Sequence, residues 1–178
     1  MTIALRIDEI PWINSHLGIG CVLDYEQMKP ILCFSLIWNL FETETCKCNA
    51  NLESIRKNVD HANISGGLSA EKYEPFIHYF RKQYLGDKQT FVDFFDRLML
   101  SDKKKEKEAK EIVIRAFSND AENVSVIVYA LLIIAYRIRN NFYHGNKKVP
   151  ELPRQTELFT TINALLMTYL EDIQNLPS

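Results

Sequence analysis

The sequence predicts an all-α protein, a helical bundle of about six to seven helices. Three observations carry that prediction. Apolar residues recur at steps of three and four along most of the chain, which is the repeat of a helix with one buried face. Stretches that alternate apolar and polar residues, as a half-buried strand would, are scarce. Only six glycines and six prolines interrupt 178 residues, too few for a loop-rich or disordered chain. The length fits one domain over 1–178. At 47% hydrophobic and 25% charged residues, the chain can bury a core and keep a solvated surface.

The elements follow in order. Pro11 closes a short N-terminal segment. A first long helix is predicted from about Pro30 to Thr45, with Pro30 in its first turn, where a missing N–H costs little. Its apolar positions Ile31, Phe34, Ile37, Trp38 and Phe41 share a face. A more polar helix is predicted over Asn51 to Asn63, and Gly66-Gly67 breaks the chain after it. Ser69 is the expected N-cap of a helix that ends near Leu85-Gly86. A phenylalanine-rich helix follows around Thr90 to Leu100. Asp102 opens the lysine-rich stretch Lys103 to Lys107, which runs into Ile112-Val113-Ile114. The longest helix is expected over about Ala121 to Tyr143, with Gly145 placed to cap it in the left-handed conformation. Pro150 and Pro153 mark a connection, and a last helix spans Thr156 to Gln174.

Charge and composition narrow the function classes. The net charge is -2 and the pI about 6.1, so any nucleic-acid contact must come from a local basic patch. Arg6, Asp8 and Glu9 fall where a secretion signal needs an apolar run, so none is expected. Val124 to Ala135 is the most apolar stretch, too short to span a bilayer, and it reads as a buried helix. A cytoplasmic chain with no membrane contact follows, with its four cysteines as thiols. No nucleotide-binding loop is present, and no cofactor is expected. Cys46 and Cys48 are close in sequence, but Cys21 and Cys33 lie far off on apolar stretches, so no metal site is expected. His16 and His78 lack convincing partners and are read as structural or exposed.

The chemistry concentrates in Tyr136 to Lys147, where an apolar helix closes on two arginines, two asparagines and a histidine. Histidine moves protons near neutral pH. Arginine holds phosphate oxygens through a forked, permanently charged head. Asparagine can orient either. The plain alternative is that basic residues in a last turn only complement the helix dipole. Spacing alone does not decide, because Arg56 and His61 repeat it on another helix.

The run Arg139-Asn140-Asn141-Phe142-Tyr143-His144-Gly145-Asn146-Lys147 resembles the end of the signature helix of HEPN-domain proteins, an Arg, a polar residue, further residues and then a His. Ile37-Trp38-Asn39-Leu40-Phe41-Glu42 is similar, less specifically, to an early helix of such domains. The resemblance implies a metal-independent endoribonuclease, a toxin or an anti-phage defence effector, with Arg139, Asn140 and His144 catalytic. It also implies a homodimer in which two motifs meet in one cleft, and an antitoxin or defence-complex partner that restrains it. Its alternative is a non-catalytic HEPN-like module that binds RNA or protein. An adaptor without a nucleic-acid role is a third reading.

A helical wheel adds an independent expectation. Val124, Val128, Leu131, Ala135, Ile138 and Phe142 form one apolar face, with Arg139 on its edge. Val126 and Ile133 lie opposite, in line with Arg137, Asn140 and His144, and that second face is expected to meet a symmetric partner. Arg139 and His144 are about 140° apart on a regular helix. They converge only if the last turn distorts or two chains share a site, so Arg137 stands as the alternative arginine. Tyr143 and Asn141 are supporting candidates: Tyr143 could stack on a base or simply pack. Lys147 and Lys148 could hold RNA phosphates or be solvated. Lys103 to Lys107 reads as a solvated helix start. Glu42 could pair with an arginine of the motif or be an ordinary helix-end acid.

Overall fold

The computed structural model describes residues 8–17, 22–84, 93, 95–96, 98–100, 104–118, 123–144 and 149–176. Its helices are α1 (Glu9–Leu17), α2 (Tyr25–Cys46), α3 (Leu52–Ile64), α4 (Ala70–Tyr84), α5 (Lys104–Phe117), α6 (Val124–Tyr143) and α7 (Thr156–Gln174). A 3₁₀ helix over Val149–Gln155 leads into α7. Among the described residues there is no strand, and the all-α helical bundle is the observed fold.

Local chemistry sets most of the boundaries. The side chain of Asn51 accepts the amides of Glu53 and Ser54, and Ser54 Oγ accepts the Asn51 amide, a reciprocal cap that starts α3. Asn123 accepts the Ser125 amide at 3.0 Å and starts α6, two residues after Ala121. α7 keeps its expected limits, and α4 begins directly after Ser69. Pro11 lies inside the first turn of α1 rather than closing a segment. The expected helix over Thr90 to Leu100 lies largely outside the described residues, although Asp93, Phe95 and Asp96 are helical.

The first long helix differs from expectation. α2 starts five residues before Pro30, because the Asp24 carboxylate accepts the Gln27 amide and caps an earlier turn. Pro30 then sits inside the helix and cannot donate to the Glu26 carbonyl, so one rung is missing. Its own carbonyl accepts Asn163 Nδ2 of α7 at 2.7 Å. With this extra turn α2, at 22 residues, is the longest described helix, ahead of α6 at 20.

α6 is the central element. Val128 to Ala135 are all buried, with no polar side to turn outward. α3, α4, α5 and α7 pack against it, and α2 lies along α7. By length and composition α6 could cross a membrane, but that stretch is enclosed by the chain's own helices. Of the second face that the wheel assigned to a partner, Ile133 is fully buried within the chain, Val126 is partly buried, and His144 is exposed. An aromatic cluster ties α2, α6 and α7 together, with Phe34 against Phe142 and Phe159, and Phe41 against Tyr169. Such ring pairs add about 0.5–1.5 kcal/mol each beyond the area they bury.

Polar ties lock the register of the helices. The buried Asp172 carboxylate of α7 accepts Tyr73 Oη at 2.7 Å and also Lys72 Nζ, both from α4. Tyr169 Oη donates to Asn58 of α3 at 2.6 Å. Tyr129 Oη of α6 donates to the Leu52 carbonyl at 2.9 Å.

Two outcomes follow from these ties. Asp172→Ala leaves the Tyr73 hydroxyl buried without an acceptor and should cost about 1–3 kcal/mol in urea unfolding. Lys72→Ala, at an exposed amine, should cost far less, and equal losses would contradict the assignment. Burial pushes the Tyr129 hydroxyl up to about 12, while an unfolded chain releases that proton near 10. The stability held by the neutral phenol is thus complete below pH 10 and drains between pH 10 and 12. Urea midpoints should fall across that window, and less steeply in Tyr129→Phe.

Candidate functional site

The residues singled out by sequence occupy the last two turns of α6, and the structure separates them into distinct roles. Arg139 is half-buried. Its guanidinium lies 5.7 Å from the centre of the Trp38 ring and 5.1 Å from that of Tyr143, so two aromatic rings hold it. Its Nη1 donates to Asn140 Oδ1 at 3.1 Å, and its Nη2 lies 3.7 Å from Glu42 Oε2. Its Nε is buried and has no hydrogen-bond partner.

Glu42 fixes this seat. Its Oε2 accepts Trp38 Nε1 at 3.0 Å and its Oε1 accepts the Ala50 amide at 2.9 Å. One carboxylate therefore joins α2, the segment leading to α3, and the arginine on α6. Trp38 and Glu42 are four apart and share a face of α2, which brings both under Arg139. The sequence offered Glu42 as a possible partner of the motif. It gave no sign that Trp38 would stack on Arg139, because that contact depends on how α2 crosses α6.

Arg137 has a different setting. Its Nε donates to the Leu98 carbonyl at 3.1 Å, one Nη to the Met99 carbonyl, and the other to Glu106 Oε1 at 3.2 Å. Its side chain is only 14% exposed. Every arm of the guanidinium is engaged in fastening α5 and the turn before it to α6. Arg139 is the more accessible of the two, at 31%.

The asparagines also part ways. Asn140 is half-buried beside Arg139, whereas Asn141 is buried, at 5% exposure, and faces the interior. Tyr143 is half exposed and packs on Phe142 and Arg139 at once, so both roles weighed for it keep a physical basis. His144 is exposed and ends α6. Its amide still donates to the Asn140 carbonyl at 3.0 Å, so the turn up to Tyr143 is intact, while φ -85° and ψ 10° make His144 itself the non-helical cap. The last turn is therefore regular, and the backbone leaves Arg139 and His144 about 140° apart. Gly145, Lys147 and Lys148 lie outside the described residues.

The remaining candidates sit elsewhere. Cys46 is buried beside Thr45, while Cys48 is exposed. His16 stacks on Trp12 at 5.2 Å, and His78 is exposed. Arg56, which repeats the motif spacing with His61, pairs with Glu108 at 2.9 Å and lies over Tyr129. Of the lysine run, Lys107 is exposed on α5, and neighbouring Glu106 holds Arg137.

Scans against protein-family models, characterised proteins and solved structures found no match.

The two arginines should separate in stability measurements. Arg137→Ala takes the side-chain donor from the Leu98 and Met99 carbonyls and should cost about 1–3 kcal/mol. Arg139→Ala removes a more accessible group and should cost clearly less in the same urea titration. The reverse order would overturn the division of roles.

Proposed function

We propose that the chain is a metal-independent endoribonuclease of HEPN type, with Arg139, Asn140 and His144 as its catalytic group. The observation that carries the reading is the seat of Arg139. A charged guanidinium is held by two rings, a carboxylate and an amide at a partly open helix end, five residues before an exposed histidine. That is a preorganised cation on the same helix end as a group able to move protons, the two kinds of group that phosphodiester cleavage requires.

The reaction runs within the RNA strand. The 2′-oxygen forms a bond to the adjacent phosphorus as its proton passes to an imidazole acting as general base. The bond from phosphorus to the 5′-oxygen breaks, and that oxygen takes a proton from an imidazolium acting as general acid. Products are a 2′,3′-cyclic phosphate and a 5′-hydroxyl end. Arg139 stabilises the negative charge that grows on the phosphoryl oxygens. Asn140 orients the guanidinium through its Oδ1. Glu42 and Trp38 position Arg139 without touching substrate. Because the last turn is regular, Arg139 and His144 of one chain diverge, which favours a homodimer in which each RNA phosphate meets residues of both copies. In this reading the protein is a cytoplasmic toxin or anti-phage defence effector, restrained by an antitoxin or a larger defence complex, and Lys147 and Lys148 contact substrate phosphates.

One observation favours the second reading, a non-catalytic module that binds RNA or protein. Arg139 is already ion-paired with Glu42, as a structural arginine would be.

Incubation of the purified protein with structured and unstructured RNA in EDTA decides between them. The nuclease reading expects cyclic-phosphate ends from the wild type and a loss of at least about 100-fold in Arg139→Ala and His144→Ala, the scale of a general acid–base group. DNA of the same sequence should stay intact for lack of a 2′-hydroxyl. Cleavage that survives both substitutions, or no cleavage by a folded wild type, would favour the binding module.

A further inference from the structure

α2 has a second apolar face, and nothing in the described structure covers it. Its inner side buries Phe34, Trp38 and Phe41, yet Leu32, Leu36 and Leu40 stand on the outer side at steps of four, 48%, 71% and 51% exposed. No charged residue occurs from Pro30 to Phe41. Solvent-facing sides of bundle helices are normally polar, and a clustered run of exposed leucines marks an interaction surface. The exposed Tyr25 lies in line with the stripe at its N-terminal end.

The charges that flank the stripe identify the occupant. Lys29 lies seven residues before Leu36 and Glu44 eight after it. Glu26 lies ten before and Lys47 eleven after. All four are exposed. When a second α2 is laid antiparallel about a two-fold axis at Leu36, Leu36 meets its own copy and Leu32 meets Leu40. In the same register Lys29 comes opposite Glu44 on both sides of the axis, and Lys47, in the turn that caps the helix, lies at the end that Glu26 of the second copy occupies. A parallel pairing in register sets Lys29 on Lys29 and Glu26 on Glu26, which repel. An isologous two-fold contact needs such a self-complementary surface.

We infer that the outer face of α2 is a self-association surface, on which a second copy of this chain docks antiparallel through Leu32, Leu36 and Leu40. The inference rests on the packing and charge pattern of α2 and not on the nuclease reading. The contact lies on α2 and is separate from the meeting of α6 ends that the nuclease reading calls for. One helix about 33 Å long and 10 Å wide offers a footprint of roughly 330 Å² per copy, below the ~800 Å² of a standard interface. The dimer is accordingly reversible and depends on concentration.

Sedimentation equilibrium of the full chain without RNA, from about 1 to 200 µM, tests it, with circular dichroism to confirm that each variant is folded. The wild type should pass from monomer to dimer across that range. Leu36→Glu, at a position 71% exposed and so tolerant of charge in the monomer, should raise the dissociation constant at least tenfold. Lys29→Glu and Glu44→Lys should each weaken association several-fold, and the double exchange should return it to near the wild-type value. A wild type that stays monomeric at 200 µM, or a dimer indifferent to Leu36→Glu, overturns the surface. A double exchange no better than the single variants overturns the antiparallel register. RNA cleavage is measured separately, so failure of the nuclease reading and failure of this surface give different results.

Discussion

α6 has no polar side over eight consecutive residues, and that constraint organises the bundle. A helix buried all round must be enclosed by others, and α3, α4, α5 and α7 enclose it. Beyond that run, charged and amide side chains enter α6 in its last two turns, where enclosure is incomplete. Arginines can enter there because partners wait for them: backbone carbonyls for Arg137, rings and a carboxylate for Arg139. The position of the candidate site is thus set by where the core ends.

The division of labour between the arginines has a simple physical origin. Two residues apart on a helix, their side chains leave about 200° from each other. Arg137 turns toward α5 and ties down the turn at Leu98 and Met99. Arg139 turns toward α2 and meets a carboxylate already held by an indole and a backbone amide. A group held from three sides has little freedom left to lose, which is how a half-buried arginine becomes a preorganised one.

Much of this was legible in the sequence, and the rest was not for identifiable reasons. The limits of α3 and α7 depend on local signals, such as the Asn51 cap and the prolines before Thr156, and the structure keeps them. The start of α2 was misplaced because Pro30 looked like a first-turn proline, while Asp24 supplied an earlier cap. The burial of Asn141 was readable, since a wheel aligns it with Ile134 and Ile138. The partners of Arg137 were not, because the Leu98 and Met99 carbonyls carry no side-chain signature. Nor was the Trp38–Arg139 stack, which joins residues a hundred positions apart through a crossing that periodicity does not encode. The wheel rightly required cover for both faces of α6, but it could not say that the cover lay within the same chain.

The pairing of α2 with α7 has a consequence for synthesis. The two helices lie more than a hundred residues apart, yet Asn163 binds the Pro30 carbonyl and Phe159 packs on Phe34. While the ribosome is still making the middle of the chain, the aromatic side of α2 has no α7 to lie against. The α2 face that seats Arg139 is therefore fixed only after α7 emerges. A chain interrupted before that point carries the arginine and the histidine but lacks the packed α2 that orients them. Nascent fragments therefore lack the ordered seat of Arg139 until the last helix has been made.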